Sequence, residues 1–119
     1  MSNINIQMAS ELKNKAEAKY IAQTIVQQMQ CPNMMIYFSW GATNFGYGRN
    51  TDSEPFVKFH VNGMKFQGYV YIVYDFSDTY KIAFVDHNGN TKHEVEMVYA
   101  DQLQKVIDDY VEKIDEYII

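Results

Sequence analysis

Between Phe56 and Tyr99 apolar side chains recur at every second position, and this run is interrupted twice by an Asn-Gly pair, at Asn62-Gly63 and Asn88-Gly89. A period of two is the signature of strands with one buried face, and Asn-Gly supplies the positive φ angles that a two-residue type I′ turn needs. Such turns would set Val61 opposite Met64, Phe59 opposite Phe66 and Val57 opposite Gly68. In the second hairpin they would set Ile82 opposite Val95, Tyr80 opposite Met97 and Phe84 opposite His93. The same register puts Lys81 across from Glu96 on the other face, a favourable opposite-charge pair. Phe76-Ser77-Asp78 joins the two hairpins as a three-residue loop, with Asp78 tolerating the left-handed conformation and Ile72 and Tyr74 aligned with Ile82 and Tyr80. The expectation is a four-stranded antiparallel meander.

One face of that meander carries Val57, Phe59, Val61, Met64, Phe66, Val70, Ile72, Ile82, Phe84, Val95 and Met97, and is the expected core. The opposite face has an aromatic and aliphatic centre, Phe56, Tyr69, Tyr71, Val73, Ala83 and Val85, among Lys58, His60, Lys65, Gln67, Lys81, Lys92, Glu94 and Glu96. An outer face of this kind calls for a cover or a partner. The C-terminal helix or the 41–55 loop could fold over it, a second copy could pair with it as a homodimer, or Phe56, Tyr69 and Tyr71 could stack a ligand or single-stranded nucleic acid.

The flanks read differently. Ser10 to Gln30 lacks Gly and Pro and places Leu12, Ala18, Ile21, Ala22, Ile25 and Met29 at helical spacing, with Ser10 as N-cap and Pro32 ending the element. Met34 to Trp40 is apolar at nearly every position and reads as a buried strand. Gly41 to Pro55, with three Gly and small polar residues, reads as one long loop. Asp101 to Ile119 shows a helical stripe of Leu103, Val106, Ile107, Tyr110, Val111, Ile114 and Tyr117, with Asp101 and Gln104 spaced as a capping box. The fold class is therefore α+β: a two-layer single domain over residues 1–119, with helices and an antiparallel sheet segregated along the chain.

Composition narrows the function. The 119 residues are 47% hydrophobic with a net charge of −5, enough for one core and unfavourable for duplex nucleic acid, whose phosphates are met by Lys and Arg. No run is long and apolar enough to span a bilayer, and MSNINIQMASELKNK lacks the basic and apolar regions of a signal peptide, so a cytoplasmic protein with no membrane contact is expected. The single Cys31 excludes an internal disulfide framework and a multi-cysteine zinc site, and reads as a small buried hydrophobe. Abundant Asn, Ile, Lys and Tyr beside one Arg fit an AT-rich bacterial or phage coding sequence.

Catalytic constellations are sparse. Gly41-Ala-Thr-Asn-Phe-Gly46 has the glycine spacing of a phosphate loop, but Tyr47 and Gly48 stand where its Lys and hydroxyl are required. Asp86 and His93 lie diagonally across the second hairpin, where a hydrogen bond could orient His93 as a general base, yet no nucleophile is fixed nearby. No metal or cofactor is expected. Two features point instead to recognition: the aromatic segment Phe45, Tyr47 and Arg49, of residue types enriched at binding hot spots, and the acidic strip Asp108, Glu112, Asp115 and Glu116 on the last helix. The leading expectation is a small non-enzymatic interaction protein, an accessory factor or inhibitor, that binds a protein partner through these two features. The alternatives are a small-ligand module or modest enzyme with a sheet–helix pocket at Asp86 and His93, and a single-strand nucleic-acid binder using the outer face.

Overall fold

The computed structural model describes residues 3–75 and 78–113, with side chains from Ala16 onward. Helices α1 (Asn3–Met29) and α2 (Met34–Ser39) precede five strands, β1 (Thr43–Arg49), β2 (Pro55–Asn62), β3 (Gln67–Asp75), β4 (Thr79–Val85) and β5 (Thr91–Val98). A 3-10 turn, Ala100–Gln102, then leads into α3 (Leu103–Val111). All strands are antiparallel in the order β1-β2-β3-β4-β5, so the sheet is a meander with one strand more than the sequence pattern predicts. The α+β class stands. Among the described residues no helix is long and apolar enough to cross a membrane.

The period-two pattern decides the middle of the molecule. Along β2, Pro55, Val57, Phe59 and Val61 are buried while Phe56, Lys58, His60 and Asn62 face outward. The β3–β4 pairing matches expectation residue for residue: Ile72 opposes Ile82, Tyr74 opposes Tyr80, and Asp78 takes the left-handed φ of 64°. In the last hairpin Ile82 opposes Val95 and Phe84 opposes His93 as expected, and Lys81 reaches Glu96 at 3.9 Å.

Both Asn-Gly turns depart from the two-residue form. In the first, Val61 opposes Gly68 and Phe59 opposes Val70, so Gly63 to Phe66 form a longer loop. The cause is tertiary. The loop closes the C-terminal end of α3: Lys65 and Phe66 N–H donate to the Val111 carbonyl at 2.9 and 3.3 Å, and Met64 N–H donates to the Glu112 carboxylate at 2.7 Å. These bonds satisfy helix-end carbonyls that would otherwise lack partners. Phe66 then drops into the core and Met64, expected there, is 70% exposed. In the second turn only Gly89 has positive φ, 86°; Asp86 N–H and Asn90 O bond at 2.9 Å, a turn with a one-residue bulge in place of type I′. A further bulge at Met97, φ 57°, pairs Tyr80 with Val98 and turns Met97 out to solvent at 71% exposure.

The flanking elements bring four corrections. Residues 34–40 are helix, not strand: Asn33 is the N-cap, its side-chain oxygen accepting from Met35 N–H at 2.9 Å. A short, uniformly apolar run suits either state, and the cap decides it. Thr43–Arg49, expected as loop, is a strand whose Gly46 and Gly48 sit beside the Lys58 and Phe56 side chains of β2. The first helix starts at Asn3, with Ser10 inside it, because no breaker separates the two. At α3, Asp101 is not the cap; Gln102 reaches back to accept from Tyr99 N–H at 3.1 Å, while Gln104 is buried. Ile114 and Tyr117 lie outside the described residues.

The core forms between one sheet face and the helices. Ala22, Ile25 and Met29 of α1, Tyr37 of α2, Trp40 and Leu103, Ile107 and Val111 of α3 join Val57, Phe59, Val61, Val70, Ile72, Ile82 and Phe84. Fully burying each large side chain contributes about 1.5–3 kcal/mol. The expected cover over the other face is not present among the described residues: α1 and α3 place their buried stripes on the core face, and Phe56, Tyr69 and Tyr71 remain half-buried within the sheet surface.

Candidate binding groove

Alternation along β1 sends Phe45 and Tyr47 to the same side as Val57 and Phe59, so the two aromatics belong to the core face at the sheet's edge. Phe45 stacks on the buried Phe59 ring, centroids 5.2 Å apart and planes within 24°. Yet Phe45 and Tyr47 remain 44% and 39% exposed, because α1 covers the edge of the sheet only partly. The gap is a groove of about 540 Å3 with Ala22, Val26, Val57, Phe45 and Tyr47 as apolar walls and Lys19, Gln23 and Gln27 on the helix side. A second hollow of about 700 Å3 at the end of α1, bordered by Thr24, Gln28, Cys31, Pro32 and Asp101, has no aromatic wall. Cys31, expected to be buried, is exposed there.

Arg49 does not share the groove's role. Its guanidinium donates to the Ser53 carbonyl at 2.8 Å and pairs with Glu17 of α1 at 3.4 Å, tying the edge strand to the helix.

The acidic strip of α3 is spent largely on the fold. Asp108 accepts from the Trp40 indole at 3.0 Å, and Glu112 accepts from Met64 N–H. Neighbouring Asp109 pairs with Lys105 at 2.9 Å and Lys113 at 3.9 Å. Asp115 and Glu116 lie outside the described residues. These acids stand where α3 meets the β2–β3 turn, whereas Phe45 and Tyr47 stand on β1 against α1, so the described members of the two expected recognition features do not form one surface.

Asp86 and His93 are not brought together either. Asp86 folds back on its own turn, accepting from Asn88 and Asn90 N–H at 2.9 Å each, with Lys92 at 3.7 Å. The Asn90 backbone bond above all, with the Asn88 backbone bond and the Lys92 charge, holds its carboxyl below the usual range against the opposing effect of desolvation. His93 stacks flat on Tyr110, 4.7 Å and 9°, and on Phe84 at 5.7 Å. The stack of His93 on its direct cross-strand partner Phe84 and on Tyr110 of α3 wins because the turn's amides compete better for the carboxylate.

On the outer face Phe56 and Tyr71 touch at 6.1 Å, and Tyr69 presents its ring to both His60 and His87. Lys81 and Lys92, two cations that could follow a nucleic-acid backbone, are engaged with Glu96 and Asp86. The His60–His87 contact, with Nε2 atoms 2.9 Å apart, had no signature in the sequence, since the residues are separated by 27 positions and depend on the bulged second turn. Among the described residues no three or more His, Cys, Asp or Glu side chains converge as a metal cluster. Comparison with protein-family models, with curated proteins and with solved structures finds no match to this chain.

Proposed function

We propose that the chain is a small acidic binding protein, without catalytic activity of its own, that holds a partner protein by an apolar segment seated between α1 and β1. The observation that carries this reading is the exposure of Phe45 and Tyr47 on the core side of an edge strand, flanked by Ala22, Val26 and Val57. The groove's volume lies within the roughly 300–1,000 Å3 of ligand sites, and exposed aromatics beside a packed core are the residues that anchor interfaces. Among the described residues β1 pairs on one side only, with β2, so an extended segment could hydrogen-bond along its other edge while alternate side chains enter the groove. Lys19 at the rim favours an acidic residue in that segment.

Selection of random short peptides on the immobilised full chain tests this reading. Enriched peptides should alternate apolar residues, shift the amide resonances of Ala22, Val26, Phe45 and Tyr47, and bind at least tenfold more weakly to Tyr47→Ala. Peptides that map to α3 or to the outer face, or no enrichment, would reject it. A small molecule that co-purifies with the chain in native mass spectra, and is lost in Tyr47→Ala, would assign the groove to a small ligand instead.

The open outer face favours a second reading, self-association through Phe56, Tyr69 and Tyr71. Sedimentation of the chain at increasing concentration checks it, with Tyr71→Glu expected to hold the chain monomeric.

A further inference from the structure

We propose that His60 and His87 form a two-imidazole site for a late first-row divalent metal ion, of the Zn2+ and Ni2+ class, on the outer face of the sheet. His60 is fixed by strand alternation on β2, directly opposite Tyr69 of β3. His87 comes from the β4–β5 turn, whose bulge at Gly89 carries it across β3. The Tyr69 ring stands edge-on to both, 5.2 Å from His60 and 6.1 Å from His87, and sets their approach.

The geometry is specific. The Nε2 atoms lie 2.9 Å apart while the ring centroids are 5.1 Å apart, so each ring directs its Nε2 at the other. Two neutral rings can meet this way only in opposite tautomers, one donating its Nε2 proton to the other's lone pair. The two nitrogens thus already lie at a separation that one ion can bridge, with their lone-pair directions along the line that joins them. An ion held by both needs bonds of about 2.0–2.1 Å, which place two imidazole nitrogens roughly 2.9 Å apart at a right angle and about 3.3 Å apart in a tetrahedron. Turning each ring so that its lone pair leaves the N···N line by roughly 35–45°, both toward one side, meets either requirement. The donating ring moves its proton to Nδ1 through water, and both Nε2 lone pairs then bind the ion.

Imidazole selects Zn2+, Ni2+ and Cu2+ over Mg2+ and Ca2+, and the net charge of −5 favours cations in general. His87 is exposed and His60 half-buried, leaving the remaining coordination positions to water. Asp86, adjacent to His87, is committed to Asn88, Asn90 and Lys92 and so is not a third ligand, and His93 is stacked on the core side against Tyr110 and Phe84. The ion would bridge β2 to the β4–β5 turn. Because it binds only where both imidazoles are brought together, it stabilises the native state.

The test titrates the tag-free full chain with ZnCl2 and, separately, NiCl2 by calorimetry, alongside thermal melts. One ion per chain is expected, with a raised melting midpoint and no response to MgCl2. His60→Asn and His87→Asn should each weaken binding at least tenfold and abolish the shift in midpoint, and His93→Asn should leave both intact. On the unaltered chain, the imidazole 15N resonances of His60 and His87 should move with metal while those of His93 do not, which keeps the test decisive if a variant fails to fold. Absence of saturable binding at millimolar ion, binding retained in both outer-face variants, or imidazole shifts confined to His93 would overturn the proposal.

Discussion

The indole N–H of Trp40 donates to Oδ1 of Asp108 at 3.0 Å, joining the end of α2 to the middle of α3 across 68 residues of chain. Trp40 is otherwise wholly enclosed by the core. Trp40→Phe keeps most of the apolar contact but leaves a half-buried carboxylate without this donor, and should destabilise by about 1–3 kcal/mol. Denaturant unfolding reads the loss, and Trp40→Phe combined with Asp108→Ala should cost less than the sum of the two single changes.

Gly63 is closed to any side chain by α3. A Cβ there would lie 2.5 Å from Cγ1 of Val111 and press on the carbonyl that Lys65 and Phe66 hold. Gly63→Ala should lower stability by about 1–3 kcal/mol through this overpacking, whereas Gly89→Ala, with open space but a φ of 86°, should show a backbone cost alone.

Gln104 is 3% exposed and bonds three backbone groups: its amide donates to the Met29 and Asn33 carbonyls at 2.9 and 2.8 Å, and its oxygen accepts from Asn33 N–H at 3.2 Å. Gln104→Leu preserves apolar volume and removes every one of these bonds. The expected loss is about 2–4 kcal/mol, since each stranded buried group costs about 1–3 kcal/mol and water recovers part of it. A substitution that left the unfolding midpoint unchanged would contradict the assigned role.

Stability should fall at alkaline pH. Burial pushes the Tyr80 hydroxyl up, its bond to Gln28 opposes this, and Asp78 adds to the rise; the bond from Tyr74 to Asp78 pushes Tyr74 up as well. A raised folded value means the native state holds its proton longer than the unfolded chain. The contribution is therefore complete below the unfolded value near about 10 and is lost as pH climbs through the folded one. Melting midpoints measured upward from pH 9 should decline, and Tyr80→Phe should flatten that decline. At the acid end Asp86, held low, gives the opposite sign: its contribution is present above the unfolded value of about 3.9 and is lost as pH drops through its lower folded value.

The Lys81–Glu96 pair, 3.9 Å apart with side chains 45% and 68% exposed, should be nearly neutral. Glu96→Ala should change stability by no more than about 1 kcal/mol, and less at high salt.

Local alternation was enough to read the strands from Phe56 onward and the pairing of Ile72 with Ile82 and of Phe84 with His93, because a one-residue slip would turn every apolar side chain to the wrong face, but it put the exposed Met64 and Met97 on the core face and closed the first hairpin too tightly. The helical stripe of α3 was legible from Leu103 to Val111, whereas the helix, expected to run from Asp101 to Ile119, ends at Val111. The F-G-Y-G-R alternation of β1 was present but masked by glycines, which carry no side chain to mark a face, and the Asn33 cap of α2 was a weaker signal than the apolar run that follows it. Phe45 and Tyr47 could be singled out by residue type, yet their place beside α1 could not, since a groove is a gap between elements distant in sequence.

What the tertiary structure alone decided has a common cause. The Asn62-Gly63 turn lengthened because the end of α3 needed donors, Asp86 and His93 parted because turn amides and the Tyr110 ring were better partners, and His60 met His87 because a bulge carried one across a strand to the other. Periodicity reports how each residue lies relative to its own neighbours along the chain. Which polar groups must be satisfied at a junction, and by whom, is set only when the elements meet.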